Sequence, residues 1–172
     1  MNTPPAPAAL PVPLPREKVE HFDRDVAAIV RRYPSERKAA AILPVLRAAQ
    51  ELFGHLSPEV QQLAAARLGV SPARVDEVAT FYAMFNTRPV GRHVVELCTN
   101  VSCCLTGAEP IWAHLRRKLG VKPGETTADG RITLREVECL GSCGTAPAML
   151  VDDEMFERLT IAKVDEILGR LE

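Results

Sequence analysis

His93-Val-Val-Glu-Leu-Cys98-Thr-Asn-Val-Ser-Cys103 opens the part of the chain whose reading decides the fold. Val94, Val95 and Leu97 mark a strand over His93–Leu97 that delivers the chain directly into a pair of cysteines. The arrangement recurs downstream. Ile132-Thr-Leu-Arg-Glu-Val-Glu138 alternates as a strand does and runs into Cys139-Leu-Gly-Ser-Cys143. Two strands that each end in a cysteine pair, within loops of small residues, suit thiolates that converge from separate, rigid segments.

The elements around these strands complete the expectation. Thr106-Gly-Ala-Glu109 has the spacing of a capping box and predicts a helix to about Gly120, with Ile111, Leu115 and Leu119 on one face. Ala148-Met-Leu-Val151 reads as a short buried strand. Asp152-Asp153 reads as a turn, and Met155–Arg158 as the partner strand of a hairpin. Thr160 is placed to cap a last helix to about Leu171, with Ile161, Val164, Ile167, Leu168 and Leu171 as its apolar face. The order strand, helix, strand, strand, strand, helix describes an α/β sandwich of thioredoxin-like type.

The preceding half is helical. Val19, Phe22, Val26, Ile29 and Val30 recur at three- and four-residue steps until Tyr33-Pro34 stops the helix. A second stretch covers about Glu36–Phe53, and Pro44 inside it predicts a kink or a late start. Gly54 suits a C-terminal cap. Ser57-Pro58 and Ser71-Pro72 each put serine at the N-cap and proline at the first helical position. Gly69 ends the first of these helices. The second carries Val75, Val78, Phe81, Tyr82 and Phe85, read as core or domain-interface packing. Asn86–Gly91 reads as a linker. The expected division is a proline-rich tail over 1–15, a helical domain over 16–88 and an α/β domain over 89–172. The tail carries six prolines, which remove amide donors and favour an extended, disordered segment.

Composition narrows the function. Over 172 residues, 21 basic and 22 acidic residues leave a net charge of −1, which offers no electrostatic footprint for nucleic acid or an anionic membrane. No apolar run approaches the roughly 18 residues that span a bilayer. The start lacks the charged and apolar regions of a signal peptide. A cytoplasmic setting is expected, where structural disulfides are rare, and the odd cysteine count of five fits no complete disulfide framework. Neither GxGxxG nor GxxxxGK[ST] occurs, so no nucleotide loop is visible. His21, His55, His93 and His114 share no metal-ligand spacing and read as solvated or satisfied side chains. Arg31-Arg32, Arg37-Lys38 and Arg116-Arg117-Lys118 read as solvated helix faces.

The cysteines carry the chemistry. Four thiolates complete the ligand set of one 2Fe–2S cluster, two per iron. A structural zinc site accepts the same donors, although its pairs are usually spaced more tightly than the gaps of four and three residues found here. Thioredoxin-type redox chemistry needs a Cys-x-x-Cys pair, and none occurs. Cys104 adjoins Cys103, and spacing alone does not say which of the two is a ligand. Gly141, Ser142 and Gly144 allow the main chain to approach sulfur closely, and Glu136 and Glu138 oppose added negative charge nearby.

Cys98-Thr-Asn-Val-Ser-Cys103 together with Cys139-Leu-Gly-Ser-Cys143-Gly-Thr-Ala-Pro147 resembles the 24-kDa component family of NADH–quinone oxidoreductase, respiratory complex I. Tyr33-Pro34, Leu43-Pro44, Gly54-His-Leu-Ser-Pro58, Val78-Ala-Thr-Phe-Tyr82 and Pro89-Val-Gly-Arg-His93 add to the resemblance, which covers nearly everything after the tail. The resemblance implies a helical N-terminal domain and a thioredoxin-like C-terminal domain with one 2Fe–2S cluster. It implies Cys98, Cys103, Cys139 and Cys143 as the ligands and leaves Cys104 out. It implies a partner flavoprotein subunit that binds FMN and NADH, other subunits of a peripheral arm, and association with the membrane only through the complex. No catalysis is expected of the isolated chain. The same module in an NAD-dependent formate dehydrogenase or hydrogenase is the alternative, and a zinc-stapled interaction module is the alternative of another class. The thioredoxin-like type also suggests a cis bond before Pro147.

Overall fold

The computed structural model describes residues 13–171; the expected tail lies largely outside them. The chain parts into two compact units between Pro89 and Val90.

The first unit is helical. α1 (Arg16–Val30) buries Phe22 and Val26 on its apolar stripe. A 3-10 segment, Ser35–Ala41, precedes α2 (Ile42–Phe53), so Pro44 falls in the first turn of α2 and the late start is the outcome. There the missing amide costs nothing, because first-turn amides have no partner within the helix. Ser57 Oγ receives the Val60 amide and Ser71 Oγ the Arg74 amide, starting α3 (Pro58–Leu68) and α4 (Pro72–Phe81) where the serine-proline pairs predict. Gly54 and Gly69 close α2 and α3 in the left-handed region, at φ 85° and 68°. Phe22, Val45, Leu46, Leu56, Val60 and Val75 fill the core. The aromatic face of α4 is a partial correction. Phe85 is buried, but Phe81 is 80% exposed and Tyr82 38% exposed. The helix ends at Phe81 and Tyr82 is extended (φ −91°, ψ 116°), so the helical spacing does not carry through Tyr82 to Phe85.

The second unit is a four-stranded mixed sheet with helices. β1 (His93–Cys98) pairs in parallel with β2 (Ile132–Val137), and antiparallel with β3 (Met149–Val151), which pairs antiparallel with β4 (Glu154–Phe156). The strand order is β2-β1-β3-β4. A parallel pair needs a crossover, and two helices lie within it: a short one, α5 (Val101–Leu105), and α6 (Ala108–Leu119). Val95 and Leu97 of β1, Ile132 and Leu134 of β2, and Met149 of β3 are fully buried, and Leu115 of α6 and Val164 of α7 (Ile161–Leu168) complete the same core. Gly91 leads the chain in beside β2. A Cβ there would sit 2.9 Å from the Arg131 carbonyl carbon, so no side chain fits. The Ala146–Pro147 peptide is cis, as the thioredoxin-like type suggests.

Two local expectations are corrected. The segment after Cys98 is not all loop, because α5 forms there with Asn100 at its N-cap. Thr106 belongs to the end of α5, where its Oγ1 donates to the Ser102 carbonyl at 2.8 Å; Gly107, at φ 106°, is the N-cap of α6, so the capping box does not form.

Candidate metal centre

Each cysteine pair leaves the sheet at the same end, because β1 and β2 run parallel and Cys98 stands opposite Val137 in the register. Cys98 is the last residue of β1, and Cys103 lies on α5; both are buried, at 3% exposure. Cys139 and Cys143, in the loop between β2 and β3, are exposed. All five cysteines are free thiols.

The four cysteines singled out from the sequence are linked in pairs. The Cys98 sulfur interacts with the thiols of Cys103 and Cys139, and Cys103 with those of Cys98 and Cys143. Main-chain amides point at the sulfurs. Gly141 N–H donates to Cys139 Sγ at 3.3 Å. Burial pushes the Cys98 thiol up, but the amides of Asn100 and Leu140 and the Cys103 and Cys139 thiols outweigh it, and the net shift is downward. Burial pushes Cys103 up; the Ala148 amide opposes it and the charges of Cys98 and Cys143 reinforce it. Two buried thiols thus cannot both ionise at ordinary cost unless a cation compensates them. Cys104, exposed beside Cys103, turns away and donates to the Thr99 carbonyl at 3.0 Å.

The loops are braced by side-chain hydrogen bonds, several of them involving Thr99, Asn100, Thr145 and Glu157, to which sequence reasoning gave no role. Asn100 Nδ2 donates to the Glu138 carbonyl at 2.7 Å, and Thr99 Oγ1 to Glu136 at 2.9 Å, tying the first cysteine segment to the second. Ser142 and Thr145 donate to the Glu157 carboxylate. An asparagine just before an apolar run is an N-cap signal; nothing in local spacing points to Glu157. The histidines take no part. His93 pairs with Asp152 and His114 with Asp165, at 2.8 and 2.7 Å, while His21 faces Asp25 at 3.6 Å.

The donors fit a binuclear core. Such a core takes two thiolates per iron and gains from amides directed at sulfur. A structural zinc takes the same four donors around one ion.

Comparison with known proteins agrees with this chemistry. A subunit of the NADH-quinone oxidoreductase of Rhizobium meliloti is 46% identical over 144 residues, 84% of each chain. Subunit 2 of the Thermus thermophilus NADH-quinone oxidoreductase is 41% identical over 81% of this chain and 78% of its own. Among solved structures, the air-oxidised NAD+-reducing [NiFe]-hydrogenase matches 73% of this chain with a TM-score of 0.64 and 25% identity; the match spans only 22% of that longer hydrogenase chain. Residues 26–172 match the family described as thioredoxin-like [2Fe-2S] ferredoxin. With its sheet, its converging thiols and this match across most of its length, the chain belongs to the thioredoxin-like [2Fe-2S] ferredoxin family.

Proposed function

We propose that this chain is the electron-transfer subunit of an NADH–quinone oxidoreductase, holding one 2Fe–2S cluster on Cys98, Cys103, Cys139 and Cys143 beside a flavoprotein subunit that binds FMN and NADH. The observation that carries the reading is the pairwise linkage of four thiols from two loops, with amides directed at them. Family membership and relatives named as subunits of NADH-quinone oxidoreductase support the redox assignment. A bound 2Fe–2S core exchanges one electron at a time, which is the chemistry the chain itself lacks.

The residues divide the work. Cys98 and Cys103 anchor the inner side, within the core, and Cys139 and Cys143 lie on the exposed side that a partner approaches. The amides of Asn100, Leu140, Gly141 and Ala148 stabilise negative charge on sulfur. Among the described residues no helix is long and apolar enough to cross a membrane, consistent with attachment through other subunits of the complex.

The test is an EPR spectrum of anaerobically purified protein after dithionite, with iron and sulfide analysis. Brown protein with iron and sulfide in a two-to-two ratio and a reduced-cluster signal is expected; colourless protein with one zinc per chain would overturn the reading. A second reading, the same module within an NAD-dependent hydrogenase or formate dehydrogenase, draws on the hydrogenase likeness. Genes for membrane-arm and quinone-site subunits beside this one favour the first reading, and a hydrogenase or molybdenum subunit favours the second.

A further inference from the structure

The turn that carries Cys143 is held by a carboxylate from outside the loop. Cys143–Thr145 forms a single 3-10 turn, with Ser142 just before it at φ −105°, ψ 41°. Ser142 Oγ and Thr145 Oγ1 stand 2.7 Å apart and converge on one atom, Oε1 of Glu157. Glu157 follows β4, and its segment is stitched to the same loop along the main chain. Arg158 N–H donates to the Thr145 carbonyl at 2.8 Å and Leu159 N–H to the Pro147 carbonyl at 3.1 Å. Lys163 Nζ donates to the Glu157 carbonyl at 2.7 Å, which fixes the residue from its other side.

A neutral acceptor would satisfy two hydroxyls equally well. A carboxylate instead adds a fixed negative charge next to a site built to hold thiolates. The two hydroxyl donors keep the Glu157 carboxyl below the ordinary carboxylate range, so the charge is present at neutral pH. Like charges in one neighbourhood oppose the arrival of a further negative charge.

We propose that Glu157 is a positioning residue for the cluster: its Oε1 fixes the Ser142–Thr145 turn that aims Cys143, and its charge lowers the potential at which the cluster accepts an electron. This rests on the four-cysteine reading above. Glu157→Gln and Glu157→Ala separate the two effects. Glutamine keeps an Oε1 acceptor for both hydroxyls and removes the charge, whereas alanine removes both.

The experiment uses the full chain, purified anaerobically with its cluster, for wild type and both variants. Redox titration followed by EPR gives the midpoint potential, and bleaching in the presence of an iron chelator gives the cluster lifetime. E157Q is expected to keep the wild-type iron and sulfide content and lifetime while its midpoint shifts to a more positive potential. E157A is expected to bleach several-fold faster. An unchanged or more negative midpoint in E157Q overturns the inference, as does a wild-type lifetime in E157A. If E157A fails to fold, the E157Q midpoint decides. A wild-type chain that holds no binuclear cluster overturns the four-cysteine reading itself, and this inference with it.

Discussion

Asn100 joins the two cysteine segments: its Nδ2 donates to the Glu138 carbonyl at 2.7 Å while its Oδ1 receives the Val101 amide at 2.8 Å. One side chain thus starts the helix that carries Cys103 and grips the residue before Cys139. Asn100→Ala removes both bonds. Loss of an N-cap costs about 1 kcal/mol, and the Glu138 carbonyl loses its side-chain amide donor as well. Faster bleaching of the cluster than in wild type under chelator is expected. Asn100→Ser should restore the N-cap but not the reach to Glu138 and so recover only part of the lifetime. Full recovery in the serine variant would show that the cross-loop bond contributes nothing.

The proposed ligand set makes a sharper prediction. Cys139→Ala removes a proposed ligand whose sulfur accepts the Gly141 amide, and it should abolish or severely weaken cluster assembly. Cys104→Ala should leave the optical spectrum nearly unchanged, because the Cys104 sulfur is engaged with the Thr99 carbonyl and exposed. Visible spectra and iron content of the two variants check this. Loss of the cluster in Cys104→Ala would reverse the assignment.

What is legible in the sequence is what short-range chemistry determines. Ser57 and Ser71 cap their helices because the hydroxyl and the amides it satisfies lie three residues apart. β1 and β2 announce themselves through Val95, Leu97, Ile132 and Leu134, which alternate into one core. α5 escapes a reading by periodicity because five residues hold too little of a helical period. Thr106 misleads for a related reason: the spacing to Glu109 is right for a capping box, but Gly107 takes the cap at a left-handed φ. The clasp from Glu157 to Ser142 and Thr145 spans a hairpin, with partners 15 and 12 residues away, so no local pattern encodes it. The cysteine pairs are legible because the two members of each lie close together in the sequence, just after a strand.

The core under β1 sets a stability prediction. Leu97 is fully buried, and it lies between Glu136 of β2 and Met149 of β3. Leu97→Ala leaves a cavity in a closely packed sheet and should cost about 2–5 kcal/mol. The single tryptophan, Trp112, packs against this core and reports on the second unit alone. The urea midpoint followed by its fluorescence should fall accordingly. A midpoint unchanged from wild type would mean that the sheet is not packed as described.

Asp165 ties α7 to α6 through two donors. Lys118 Nζ lies 2.5 Å from Oδ1, and His114 Nε2, 2.7 Å from the same oxygen, donates its proton to it. The Lys118 bond, then the His114 bond, hold the Asp165 carboxyl below the ordinary carboxylate range. Because the folded value lies below the unfolded one, the ionised form stabilises the fold. That contribution is complete above the unfolded value of about 3.9 and is lost as pH falls through the depressed folded value. Asp165→Asn removes the charge and with it this pH dependence. Melting of wild type and D165N in the same cluster state, followed by Trp112 fluorescence, should show a gap in Tm while Asp165 is ionised. The gap should close as the pH drops below the ordinary carboxylate range. A gap that persists below the ordinary carboxylate range would contradict a stabilising, ionised Asp165.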